Sequence, residues 1–122
     1  MLGMSQSVSV YDLQPGMHAC FVYDTEAQHR AVMTAFLLDG LKKGERVVYI
    51  SDTHTTALAI DYLFGEPELG QALASGQLVT LDAQEAYLED GCFDAERMLA
   101  NAQGIAAQAV TQGYKAIRVT GE

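Results

Sequence analysis

Arg46-Val47-Val48-Tyr49-Ile50-Ser51 is the most strand-like stretch of the chain, and the residues flanking it set the class of fold. It is rich in β-branched and aromatic side chains and apolar almost without interruption, as a strand covered on both faces is. Just before it, Lys42-Lys43-Gly44 reads as the end of a helix. The two cations suit the negative end of the helix dipole, and glycine suits a left-handed cap. That helix is expected over residues 26–43. Ala27, Ala31, Ala35, Leu38 and Leu41 recur at helical spacing, Val32 and Phe36 widen the stripe, and His29 falls on the solvated side. Thr25 and Gln28 have the spacing of a capping box. Further back, Pro15-Gly16 marks a turn, and His18-Ala19-Cys20-Phe21-Val22-Tyr23 is an apolar run of strand length.

Beyond Ser51 the alternation continues. Helices are expected over 55–64 and 68–75, the latter stopping at Gly76, followed by a strand over 77–81. Residues 83–91 are ambiguous. From Asp94, a good N-cap, to Gly113, a good stop, helical spacing returns, with Ala95, Met98, Leu99, Ala102, Ile105, Ala106, Ala109 and Val110 on one face. Residues 115–120 form the last strand. Strands alternating with helices predict an α/β fold: a three-layer, open, mainly parallel sheet with helices on both faces. Residues 1–15 read as an N-terminal segment and 16–122 as the domain. The chain stops at Gly121-Glu122, at the end of a strand, so the sheet is expected to be incomplete at that end.

The bulk numbers narrow the function. A chain of 122 residues with 49% hydrophobic and 19% charged residues is one globular domain able to bury a core unaided. Its apolar runs are too short for a bilayer, and its first residues lack a basic signal-peptide start, so a cytoplasmic location is expected. Cys20 and Cys92 are then free thiols. The net charge is −9, and Lys and Arg nowhere cluster as a phosphate-binding surface requires. Direct nucleic-acid binding and membrane binding are not expected.

In open parallel sheets, ligands gather at the carboxyl ends of the strands. Those ends carry Tyr23-Asp24-Thr25, Ser51-Asp52-Thr53-His54, Asp82 and Gly121-Glu122. These residues read first as helix caps and second as a polar rim around a pocket, and both can hold together. The turn after the first strand, Asp24-Thr25-Glu26-Ala27-Gln28-His29-Arg30, has neither glycine nor lysine and places two carboxylates where phosphate would lie. A phosphate loop is excluded. His18 and Cys20, two apart on a strand, share a face. They can supply two ligands to a metal such as zinc, or they can be a packed thiol beside a hydrogen-bonded imidazole. No third ligand among His54, Cys92 and Glu122 stands at motif spacing, so no metal and no cofactor is assigned. Nothing supplies the activated thiolate and oxyanion donors that a catalytic Cys–His pair needs, and no enzyme activity is expected.

The stretches 18–23 and 36–50 resemble the MEDS family, the methanogen/methylotroph sensory domain, as do Glu85-Ala86-Tyr87-Leu88-Glu89-Asp90-Gly91-Cys92-Phe93-Asp94 and Ile117-Arg118-Val119-Thr120-Gly121-Glu122. The resemblance covers nearly all of the chain from Gly16. Residues 40–51 are also similar to a helix end and strand of RecA/KaiC-like ATPases. The resemblance implies a degenerate RecA-like fold without the phosphate loop or ATP hydrolysis, serving to sense small organic compounds upstream of transcription or phosphorelay signalling. His18, Cys20 and Tyr23 match characteristic positions of the family, which makes them candidate ligand contacts; Asp52, His54 and Glu122 are further candidates. The expected partners are a small organic ligand and a signalling protein or attached effector domain. Two rival readings are a ligand-free protein-interaction module, including one that self-associates, and a zinc- or thiol-dependent enzyme.

Overall fold

The computed structural model describes residues 9–17, 19–51, 57–83 and 95–121. After a short 3-10 turn at Val10–Asp12 come helix α1 (Glu26–Lys42), strand β1 (Arg46–Ser51), helices α2 (Leu58–Tyr62) and α3 (Glu68–Ser75), strand β2 (Leu78–Asp82), helix α4 (Ala95–Thr111) and strand β3 (Ile117–Gly121). The three strands form one parallel sheet in the order β2-β1-β3. Val47 stands beside Leu78 on one flank and beside Arg118 on the other. The expected α/β architecture with flanking helices is therefore present, and β1 is its central strand, buried along nearly its whole length.

Local chemistry explains the element ends. Thr25 caps α1, its side-chain oxygen accepting from the Gln28 backbone N–H at 3.2 Å. Gln28 returns the favour one residue early, its Oε1 accepting from the Asp24 N–H at 2.7 Å. The result is a capping box displaced by one position. At the other end Gly44 has φ +77°, the left-handed geometry expected of the stop. Gln77 then ties this end to the sheet, its Nε2 donating to the Leu41 and Glu45 carbonyls at 3.1 and 2.9 Å.

The core lies between α1 and the sheet, with Met33, Leu37, Leu41, Val47, Tyr49, Ala59, Tyr62, Leu63, Ala72 and Leu78 in one cluster. Val48 and Ile50, out of phase with Val47 and Tyr49, point to the opposite face and are also buried. The chain moves from β1 outward to β2 and then back past β1 to β3. Right-handed crossovers therefore put α4 on the face opposite α2 and α3.

Three expectations are corrected. The buried stripe of α1 is His29, Met33, Leu37, Gly40 and Leu41, rotated from the expected one; Ala27 and Ala31 are exposed. Apolar residues surround this helix, so spacing alone could not select the face. On α4, Ala109 is buried but Leu99, Ala102 and Val110 are exposed. Val110 follows buried Ala109 but lies about 100° further round the helix, so the stripe inferred from spacing is wider than the face the fold covers. Finally, residues 19–23 form no strand. They belong to no helix or sheet, and Phe21 and Val22 are exposed. Among the described residues, no helix is long and apolar enough to cross a membrane.

Candidate functional site

A groove of about 970 Å³ runs between α1, the edge of β3 turned away from β1, and the N-terminal segment. Its floor is Val32, Met33, Phe36 and Tyr49. One wall is residues 116–121, and the other includes Met17, Cys20, Phe21 and Tyr23. The volume is in the range of small-molecule sites, and the lining is more apolar than polar, with Gln14, Glu45, Arg118 and Thr120 among its polar members.

One end of the groove is aromatic. Phe21 and Tyr23 stack with ring centroids 5.6 Å apart, and Tyr23 leans on the His29 ring at 4.7 Å. His29 is 3% exposed, and its Nδ1 lies 2.8 Å from the Tyr62 hydroxyl. Burial raises the Tyr62 phenol above its ordinary pKa; the negative charge of Glu26 adds to this, and Arg30, stacked over the Tyr62 ring at 5.1 Å, opposes it. The phenol thus stays protonated and can donate to His29. The expectation of a solvated His29 is overturned, because the rotation of α1 places it in line with Met33 and Leu37.

The other end is anchored by charge. Arg118, 6% exposed, donates through Nε to Glu45 at 2.7 Å and through Nη1 to the Phe36 carbonyl at 2.7 Å, and its guanidinium lies 4.9 Å from the Phe36 ring centre. Its Nη2 is 3.1 Å from Asp39 Oδ2, which Lys43 approaches at 2.9 Å; that oxygen gains charge proximity without an aligned hydrogen bond. Gly40 makes room for this. A Cβ there would stand 2.8 Å from Val47 Cγ2 and 2.9 Å from Arg118 Cδ.

Of the candidates named from sequence, Cys20 and Tyr23 line the groove, Cys20 as an exposed free thiol. His18, Asp52, His54 and Glu122 lie outside the described residues, and with them any His18–Cys20 metal pair. Thr25 serves as a cap, and Ser51 is buried at the end of β1 with its hydroxyl directed at the Leu81 carbonyl. Sequence reading missed His29, Glu45 and Arg118. The signals were present: His29 is four and eight residues before Met33 and Leu37, and Arg118 interrupts an apolar strand.

No curated protein and no solved structure matches the chain. One family profile does, that of MEDS, described as the methanogen/methylotroph, DcmR sensory domain, over residues 17–122. A match over nearly the whole chain, on a small α/β sheet with a groove of ligand size at its edge, shows that the chain belongs to the MEDS family of sensory domains.

Proposed function

We propose that this chain is a non-catalytic sensing module that binds a small organic molecule in the groove beside β3 and passes the bound state to a partner or attached effector domain in signal transduction or transcription regulation. The observation that carries this reading is the aromatic end of the groove, where Phe21 stacks on Tyr23 and Tyr23 leans on a buried His29. Aromatic faces over a largely apolar lining offer stacking and apolar contact, a combination that recognises an uncharged or weakly polar organic molecule. Tyr23 and Cys20 contact the ligand in this reading, and His29 joins them.

The start of α1 supports the loss of nucleotide chemistry. Its N-terminal N–H groups face the Thr25 oxygen, with Asp24 and Glu26 alongside, so a phosphate there would meet like charge. A RecA/KaiC-like ancestry whose phosphate loop has become a capping box is consistent with this arrangement.

Thermal unfolding against a panel of small organic compounds and divalent metals tests the proposal. A ligand raises Tm with concentration, by about 2.7 kcal/mol of added stability at 100 times Kd, and Tyr23→Ala removes the response. A flat panel overturns it. A second reading, an interaction module without ligand, draws on the exposed Leu99 and Val110 of α4. It is favoured if the panel is flat and the chain self-associates in size-exclusion at rising concentration.

A further inference from the structure

Tyr62 stands on α2, outside the groove, yet it is tied to the groove's aromatic end. Phe21 stacks on Tyr23, Tyr23 leans on His29, and the His29 ring meets the Tyr62 ring edge-on at 5.7 Å. The Arg30 guanidinium, over the Tyr62 ring, ends the series. These planar groups run without a break from Phe21, 38% exposed, through buried His29 and Tyr62 to Arg30 at the surface. His29 and Tyr62 are joined twice, by ring contact and by the bond from the Tyr62 hydroxyl to Nδ1 at 2.8 Å. Two contacts of different direction fix both ring planes, so neither ring turns alone.

The element at the inner end of this series cannot hold itself in place. α2 has five residues, too few to offset the cost of starting a helix, and Ala57 at its N-cap makes no side-chain bond. Its position follows from packing. Ala59, Tyr62 and Leu63 enter the core, and two consecutive residues of α1 grip two consecutive residues of α2. His29 takes Tyr62, and Arg30 takes Asp61 at 3.4 Å. The Arg30–Asp61 pair is more than half exposed on both sides, and such pairs contribute little. The buried bond from Tyr62 to His29 is the stronger tie.

We infer that Tyr62 is a positioning residue for the groove: it fixes His29 and through it Tyr23, and α2 in turn follows the placement of the Tyr23 ring. The inference rests on the groove being the ligand site and adds the element that feels its occupancy. Tyr23 belongs to no helix or sheet, so a guest stacking on its ring can move it without breaking a backbone ladder. A displaced Tyr23 leaves the His29 ring, His29 turns, and its bond to Tyr62 is strained or lost. A short helix with little stability of its own is where such a shift changes the population most.

Amide hydrogen exchange by NMR on the ligand-free chain tests this. The reporters are the N–H groups of Asp61 and Leu63, which donate to the Ala57 and Ala59 carbonyls. Tyr62→Phe keeps the ring and removes the hydroxyl, whereas Tyr23→Ala removes the ring at the groove. Each alone is expected to lower the reporters' protection by about fivefold, the effect of one hydrogen bond. Together they lower it to within about twofold of the larger single effect, because one series of contacts is broken once. Tyr23→Phe, which retains the ring, leaves the reporters unchanged. The N–H groups of Lys43 and Val47, bonded to the Asp39 and Gln77 carbonyls, keep their protection in every variant, which shows that the fold survives. Reporters unmoved by either single substitution overturn the inference, as do effects that multiply in the double variant. A loss in Tyr23→Phe equal to that in Tyr23→Ala, or a fall shared equally by Lys43 and Val47, overturns it too. The measurement needs no ligand, so its failure leaves the Tm test of groove binding standing, and a flat Tm panel leaves the exchange result standing.

Discussion

Several polar interactions converge on Arg118. A guanidinium in a strand is tolerable inside the protein only because Glu45, Asp39 and the Phe36 carbonyl meet it there. Arg118→Met removes one partner and leaves Glu45, only 8% exposed, as a buried unpaired charge. The expected loss is about 3–5 kcal/mol, read by urea unfolding. Gly40→Ala should also destabilise. Helix propensity favours alanine by about 1 kcal/mol. Overpacking costs about 1–3 kcal/mol, and the contact is with Val47, a β-branched side chain locked in the central strand. The second term wins. Tyr62 offers a test by pH. Its folded-state pKa is raised by burial, so the stabilisation it contributes is complete below the ordinary tyrosine pKa of 10.0 and is lost as pH rises through the higher folded value. Stability above pH 10 should therefore fall more steeply in the unsubstituted chain than in Tyr62→Phe. Below that range, Tyr62→Phe costs about 1 kcal/mol for the lost bond to His29.

Elements in this domain are joined by a few polar clasps. Gln77 is one: it precedes β2, yet its amide donates to the Leu41 carbonyl at the end of α1, which also accepts from the Gly44 N–H, and to the Glu45 carbonyl just before β1. Gln77→Ala is expected to cost about 1–3 kcal/mol in chemical denaturation. Thr25→Ala, at the other end of the same helix, should cost about 1 kcal/mol for the lost cap. The cap was legible because Thr25 and Gln28 have a local, three-residue spacing. The role of Gln77 was not, because its partners lie 32 and 36 residues away. The same contrast separates α1's ends, which follow local chemistry, from its buried side.

At the scale of the whole molecule, the candidate site is a space between an edge strand, a helix and the segment that leads into that helix. Ala31 lines this space from an exposed position on α1. Ala31→Trp should therefore fill the groove while leaving unfolding of the free chain within about 0.5 kcal/mol, as surface substitutions usually do. It should abolish the ligand-induced rise in Tm. Retention of the rise in this variant would move the ligand elsewhere on the surface.

The order of helices and strands and the absence of a phosphate loop followed from residue type and short-range spacing. So did the parallel, two-faced character of β1, since caps, turns and β-branched runs act over three to eight residues. The site did not follow in the same way. Cys20 and Tyr23 were found because they belong to a recognisable motif. His29, Glu45 and Arg118 were missed because burial of a polar group depends on partners elsewhere in the chain: Arg118 meets Glu45 at a separation of 73 residues, and His29 meets Tyr62 at 33. A helix apolar on every side has no preferred face until a sheet is laid against it, and an apolar run becomes a strand only where an unpaired edge is within reach of its hydrogen bonds.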